Sequence, residues 1–169
     1  MFKQKKEKIA LFGGSFDPPH FGHLQIVQNS LKELDIDKWI VVPTYLNPFK
    51  ERFFLPPKER FEKLKELLRE YIKVEVSNFE IKKKRPIPTI ETLKYLEKKY
   101  SPKYIIVGAD NLENIEKWKN FKELNSKVIW VVATRKGYPL KTEKLNRFKI
   151  LEINADISST QIREGELKG

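Results

Sequence analysis

KIALFGGSFDPPHFGH (Lys8–His23) runs an unbroken apolar stretch into two glycines, a Pro-rich turn and two histidines that stand where a helix begins. An apolar run without polar alternation is what a strand of a parallel sheet covered on both faces requires. Gly13 and Gly14 close the strand, where small residues let backbone approach a ligand. From Gly22 onward, Leu24, Val27, Leu31 and Leu34 recur at helical spacing.

The same alternation continues along the chain. WIVVP (Trp39–Pro43) reads as a buried strand, and the stretch from Pro56 to Tyr71, with Phe61, Leu64, Leu67 and Leu68 on one side, as a helix. IKVEVSNFEI (Ile72–Ile81) alternates as a strand does. TIETLKYLEKKY (Thr89–Tyr100) is helical, with Thr89 as a cap behind Pro88. Three further strands follow in YIIVGAD (Tyr104–Asp110), VIWVVAT (Val128–Thr134) and FKILEI (Phe148–Ile153). NLENIEKWKNFKEL (Asn111–Leu124) is helical and divided at Asn120, and SSTQIREGELK (Ser158–Lys168) closes the chain. The reading is an α/β, Rossmann-like, doubly wound and mainly parallel sheet of about six strands with helices on both faces. No composition shift or repeat breaks it, so residues 1–169 are expected to form one domain. PTYLNPFKERFFLPPKER (Pro43–Arg60) is long for an αβ connection and reads as a loop beside the ligand crevice.

Composition narrows the chemistry. Cysteine is absent, which removes disulfide frameworks, cysteine-ligated zinc, iron–sulfur clusters and cysteine nucleophiles together. His20 and His23 are the whole imidazole supply. No apolar run reaches the length of a membrane span, and the basic N-terminus leads into a strand rather than a signal peptide, so the cytoplasm is the expected compartment. The net charge of +11 favours anionic partners. Most of the lysines, however, interleave with glutamate on helical stretches, the pattern of solvated faces rather than of a nucleic-acid groove. Lys82–Arg85 reads as a solvated basic loop.

GGSFDPPHFGH is not a P-loop, since no GK[ST] follows, and it lacks the GxGxxG of a dinucleotide fingerprint. His20 and His23, at i and i+3 around Gly22, share one face of a helical turn. Backbone N–H groups at a helix start attract phosphate, and imidazoles add donors. Zinc is a rival reading, but its remaining ligands would have to be carboxylates such as Asp17. In ISSTQIR (Ile157–Arg163), Ser158 and Gln161 fit a capping box. That leaves Ser159, Thr160 and Arg163 as a second oxyanion-binding set. Two such sets at the carboxyl ends of strands can hold a polyphosphate between them.

These two signatures resemble those of the HxGH-type nucleotidyltransferase superfamily. PTYLNPFK (Pro43–Lys50), PTIETL (Pro88–Leu93), GADNLENIEKW (Gly108–Trp118) and ATRKGY (Ala133–Tyr138) resemble, within it, the bacterial nicotinate-nucleotide adenylyltransferases. The resemblance implies adenylyl transfer from ATP to nicotinate mononucleotide, with Mg²⁺ carried on the ATP phosphates and no metal held by the protein alone. It implies that Gly13, Gly14, Ser15, Phe16, His20, Gly22, His23, Gly108, Asp110, Ser159, Thr160 and Arg163 bind ATP. Lys50, Thr89, Trp118, Lys119 and Arg135 would bind the mononucleotide, and His20, His23, Lys50 and Arg163 would act on the reacting phosphates. A lone tryptophan in a helical segment ordinarily packs in a core. The resemblance instead sets Trp118 against the pyridine ring, while Trp39 and Trp130 stay with the core. The chain departs from the family pattern in ending at Gly169, soon after Arg163.

Two other functions share parts of this pattern. A phosphopantetheine adenylyltransferase would keep the phosphate chemistry but not GAD…W and PTIETL. A non-catalytic nucleotide- or RNA-binding protein would not need both histidines. The expected partners are ATP and nicotinate mononucleotide, with neither membrane nor nucleic acid, and a homo-oligomer is compatible with the pattern.

Overall fold

The computed structural model describes residues 5–45 and 53–153. Lys50, Ser159, Thr160, Arg163 and the closing helix expected after Ser158 lie outside the described residues. Strands β1 (Lys8–Gly14), β2 (Lys38–Pro43), β3 (Val74–Val76), β4 (Ser101–Gly108), β5 (Ile129–Ala133) and β6 (Phe148–Leu151) form one sheet in the order β3-β2-β1-β4-β5-β6. Every neighbouring pair is parallel. The order reverses between β1 and β4, and in open parallel sheets a ligand crevice opens at that switch point, beyond the strands' carboxyl ends.

Strand alternation divides the core into two layers. Ile9 and Leu11 of β1 face one side, packed with Ile90, Leu93 and Leu96 of α4 (Thr89–Glu97) and Leu124 of α5 (Phe121–Lys127). Ala10 and Phe12 face the other, against Val27 of α1 (Phe21–Glu33) and Leu64 and Leu68 of α2 (Pro57–Leu68). Both faces are therefore covered, which explains the unbroken apolar strands. Trp39 and Trp130 are core residues as read, and the Trp130 indole N–H donates to Asn125 Oδ1 at 2.9 Å.

Two local expectations are corrected. Only Val74–Val76 of the stretch read as a long strand pairs in the sheet, and α3 (Phe79–Lys83) follows it. The alternation of Phe79 and Ile81 belongs to a helical turn that ends at Lys84, in the left-handed region at φ +55°. Glu80 of that turn is buried and accepts from Thr92 Oγ1 at 2.6 Å, tying α3 to α4. Burial raises its carboxyl to about 8, so it is protonated near neutral pH. The second correction is at Thr89. It is the first helical residue of α4, and Pro88, at the cap position, makes no side-chain cap bond. Asn120 does divide its segment. It sits at φ +53° between a 3-10 helix (Ala109–Lys117) and α5.

Candidate active site

The carboxyl end of β1 sets the site's geometry. Phe16 adopts φ +49°, a left-handed conformation uncommon for a bulky residue. Its buried ring meets Phe12 edge-on at 5.1 Å and His23 at 4.7 Å. The same ring covers Gly14, where a Cβ would stand 3.3 Å from it, so a side chain there would require the Phe16 ring to give by a few tenths of an ångström. At Gly13 a Cβ would meet only Val42 O, at 3.8 Å, so the fold itself does not demand glycine there.

His20 caps α1. Its Nδ1 accepts from Gly22 N at 2.9 Å, while His23 Nδ1 accepts from His20 N at 3.0 Å. The two imidazoles thus take the reciprocal places that a hydroxyl and a carboxylate fill in a capping box. The rings stack at 3.8 Å. Because each Nδ1 accepts, each ring carries its proton on Nε2, which leaves two N–H donors side by side. Burial, with the Arg135 charge second, lowers His20 from 6.5 to about 4. Burial, then His20 and Arg135, hold His23 well below its ordinary value. Both histidines are therefore neutral donors in the free protein rather than cations.

This depression has a measurable consequence. Between 6.5 and about 4 the folded chain binds fewer protons at His20 than the unfolded chain does. Stability is therefore lost as the pH falls through that window. We expect the melting temperature to drop on acidification below about pH 6.5, and to drop less in His20→Asn, where Asn keeps a capping oxygen without a titrating ring. Equal acid sensitivity in the two proteins would contradict the depressed His20.

Asp17 does not stand open to a metal. Its carboxylate accepts from Phe54 N at 2.5 Å and Leu55 N at 2.7 Å, and it is 5% exposed. The zinc reading therefore loses its named carboxylate. Among the described residues no group of three or more His, Asp or Glu is placed to hold a metal ion.

Across the switch point, Asp110 follows β4 and Arg135 follows β5, joined as an ion pair at 3.0 Å. Arg135 also lies over the Tyr138 ring, at 5.2 Å. Its charge acts on both histidines, so the ends of β1, β4 and β5 converge on one locus. Gly108 has an extended backbone (φ −76°, ψ 152°) that any residue adopts, but a Cβ there would stand 2.5 Å from Asp110 Oδ1. Gly108→Ala should therefore leave the fold intact and move the Asp110 carboxylate off Arg135. Partly exposed ion pairs are worth about 0.2–1 kcal/mol, so thermal melts should show a loss of stability no larger than that.

The acceptor candidates lie on the α4 side. Thr89 is half-buried at the start of α4, where the first amides of a helix have no partner within it. Trp118 is half-buried on the apolar layer, 5.9 Å and edge-on to Trp130, and Lys119 is exposed. The packing role that composition favours for Trp118 is thus partly real.

Sequence reasoning missed Arg60. It is 1% exposed, and its signal was an arginine in register with Leu64 and Leu68 on the buried face of α2.

A family model described as cytidylyltransferase-like matches residues 11–165. A protein of Sulfurovum sp. (strain NBC37-1), named a probable nicotinate-nucleotide adenylyltransferase, is 48% identical over 97% of this chain and 87% of its own length. A protein of the same name from Aliarcobacter butzleri (strain RM4018) is 50% identical over 92% of this chain and 86% of its own. The solved Plasmodium falciparum nicotinic acid mononucleotide adenylyltransferase complexed with NaAD is similar in fold, with a TM-score of 0.74 at 20% identity. It covers 94% of this chain and 83% of that one.

Proposed function

Because the chain belongs to the cytidylyltransferase-like family, and within it to the bacterial nicotinate-nucleotide adenylyltransferases, we infer that it transfers the adenylyl group of ATP to nicotinate mononucleotide. The products are nicotinate adenine dinucleotide and pyrophosphate. The observation that carries this reading is the pair of neutral imidazoles capping α1, with Arg135 beside them at the switch point. An anion meeting that corner finds two Nε2–H donors and the Arg135 guanidinium.

The reaction asks mainly for alignment. A phosphate oxygen of the mononucleotide forms a bond to the α-phosphorus, and the bond from that phosphorus to the bridging β-phosphate oxygen breaks, its electron pair leaving with pyrophosphate. The nucleophile is already anionic, so no strong base or covalent enzyme intermediate is required. In this assignment His20 and His23 donate to the phosphates, and the backbone from Gly13 to Phe16, with Gly22, lines them. Asp110 and Gly108 border the nucleotide. Arg135 faces the acceptor's phosphate, and Thr89, Trp118 and Lys119 hold its pyridine end. Lys50, Ser159, Thr160 and Arg163, by family resemblance, complete the polyphosphate grip. A donor set of imidazoles and cations suits Mg²⁺ that arrives on ATP, since Mg²⁺ usually binds through substrate phosphates and few carboxylates. Mg²⁺ would neutralise charge on the triphosphate.

Among the described residues no helix is long and apolar enough to cross a membrane. We assign the activity to the cytoplasm, with small nucleotides rather than nucleic acid as partners. The test is pyrophosphate release from ATP and Mg²⁺ with three acceptors, namely nicotinate mononucleotide, nicotinamide mononucleotide and phosphopantetheine. The first should give the highest kcat/KM. A higher value with phosphopantetheine would overturn the assignment.

A further inference from the structure

We propose that Arg60, buried on α2 and outside the crevice, is a positioning residue that locks the two loops of the adenylyl-transfer site into one rigid unit. Its guanidinium donates to four carbonyls: Leu55 O from Nε at 3.0 Å, Ser15 O and Thr44 O from Nη1 at 2.8 and 2.6 Å, and Tyr45 O from Nη2 at 2.6 Å. Ser15 belongs to the turn after β1, and Thr44 and Tyr45 to the turn after β2. A direct backbone bond, Thr44 N–H to Gly14 O at 2.9 Å, joins the same two turns. Asp17 supplies the opposing charge, and it holds Leu55 by its N–H while Arg60 holds Leu55 by its carbonyl.

Burying a guanidinium is costly, and apolar replacements of buried ion pairs are often as stable or more so. Packing alone therefore does not explain a charge at this position. Orientation does. In a planar trans peptide the N–H points opposite to the preceding carbonyl. Drawing Ser15 O and Thr44 O toward α2 turns the Phe16 and Tyr45 N–H groups to the other side of their loops. It also clamps the residue just before Phe16, whose left-handed backbone persists only where its surroundings over-determine it. Phe16 in turn braces the His23 ring. Arg60 thus acts on the phosphates through Ser15, Phe16 and His23 without touching them.

The proposal rests on the adenylyl-transfer reading for its kinetics, so it is tested on the full chain with two readouts. Arg60→Met keeps the bulk and removes all donors, and Arg60→Lys keeps the charge with fewer donors. Asn125→Ala serves as a control, because buried Asn125 holds Trp130, Asn146 and Lys144 away from both loops. Well below each melting temperature, R60M should lose roughly tenfold or more in kcat, since small misplacements of reacting groups are costly. R60K should fall between R60M and wild type. ATP affinity by calorimetry, which needs no acceptor, should weaken about fivefold or more in R60M, because the displaced amides no longer converge on the phosphates. N125A should lose stability and keep kcat. Wild-type kcat and ATP affinity in a folded R60K or R60M protein would overturn the positioning role. So would equal losses in N125A. A wild type that ignores nicotinate mononucleotide while R60M still weakens ATP binding would sink the acceptor assignment and leave the role of Arg60 standing.

Discussion

Replacing His23 with alanine lowers kcat by at least tenfold, and replacing it with asparagine lowers kcat nearly as much while sparing the fold. The two variants separate the two nitrogens of one ring. His23 Nδ1 accepts the His20 N–H and so serves the start of α1. Nε2 carries the proton and is the atom free to serve a phosphate. Alanine removes both. Asparagine offers an amide oxygen where Nδ1 was and has nothing at the Nε2 position. Losing a cap costs about 0.5–2 kcal/mol of stability, so the melting temperature should fall in H23A and hold in H23N. A hydrogen bond to a charged partner is worth about 1.5–3 kcal/mol, which corresponds to roughly 10- to 150-fold in rate if it forms fully in the transition state. Steady-state kinetics with thermal melts decide the matter. Near-wild-type turnover in folded H23N would remove the histidine from the chemistry and leave it as a cap.

That experiment is needed because residue types are legible in a sequence and their hydrogen-bond states are not. The spacing of His20 and His23 placed both rings on one helical turn. Nothing in the spacing indicated that each would accept a backbone N–H, or that burial would keep both neutral. The strands were readable because a sheet covered on both faces leaves short apolar runs, which their length, β-branched residues and flanking Gly and Pro separate from buried helix. Ile9, Leu11, Ile40 and Val42 supply one layer, and Ala10, Phe12, Trp39 and Val41 the other. The doubly wound pattern allows more than one strand order, and the structure supplies the one adopted, β3-β2-β1-β4-β5-β6.

Where reading failed, tertiary contact had overridden local pattern. Val74 and Val76 alternate correctly, but the alternation runs on into Phe79 and Ile81, which lie on a helical turn held by buried Glu80 and Thr92. Arg60 was passed over for a related reason, although its register with Leu64 and Leu68 was a signal. An arginine on a lysine- and glutamate-rich helix reads as solvated, and only the carbonyls of two distant loops explain its burial. Gly108 and Asp110 were singled out by family resemblance. The structure adds why the first must lack a side chain if the second is to reach Arg135.

The second large effect concerns the acceptor, and it should appear as a preference of roughly five- to 150-fold for nicotinate mononucleotide over its amide. The two differ only in a ring carboxylate against a neutral carboxamide. Pro88 gives α4 no side-chain cap, and we expect its first amides, at Thr89 and Ile90, to serve the ring carboxylate. A carboxylate satisfies two such donors. A carboxamide offers one oxygen and turns an NH₂ toward the other donor, and an unsatisfied buried donor costs about 1–3 kcal/mol. Trp118 should stack on both rings alike. W118A is therefore expected to raise KM for each acceptor and to narrow the ratio of kcat/KM much less. Long-range attraction by exposed Lys82, Lys83 and Lys84 would also favour the acid, and salt tells the two causes apart. At about 0.5 M salt the screening length falls to a few ångströms, so attraction from the basic loop fades while short hydrogen bonds persist. The acid-over-amide ratio should survive that salt even as absolute rates decline. A ratio near one at low salt would refute nicotinate as the favoured acceptor. A ratio that collapses with salt would keep the acceptor and move its selection from the α4 amides to the basic loop.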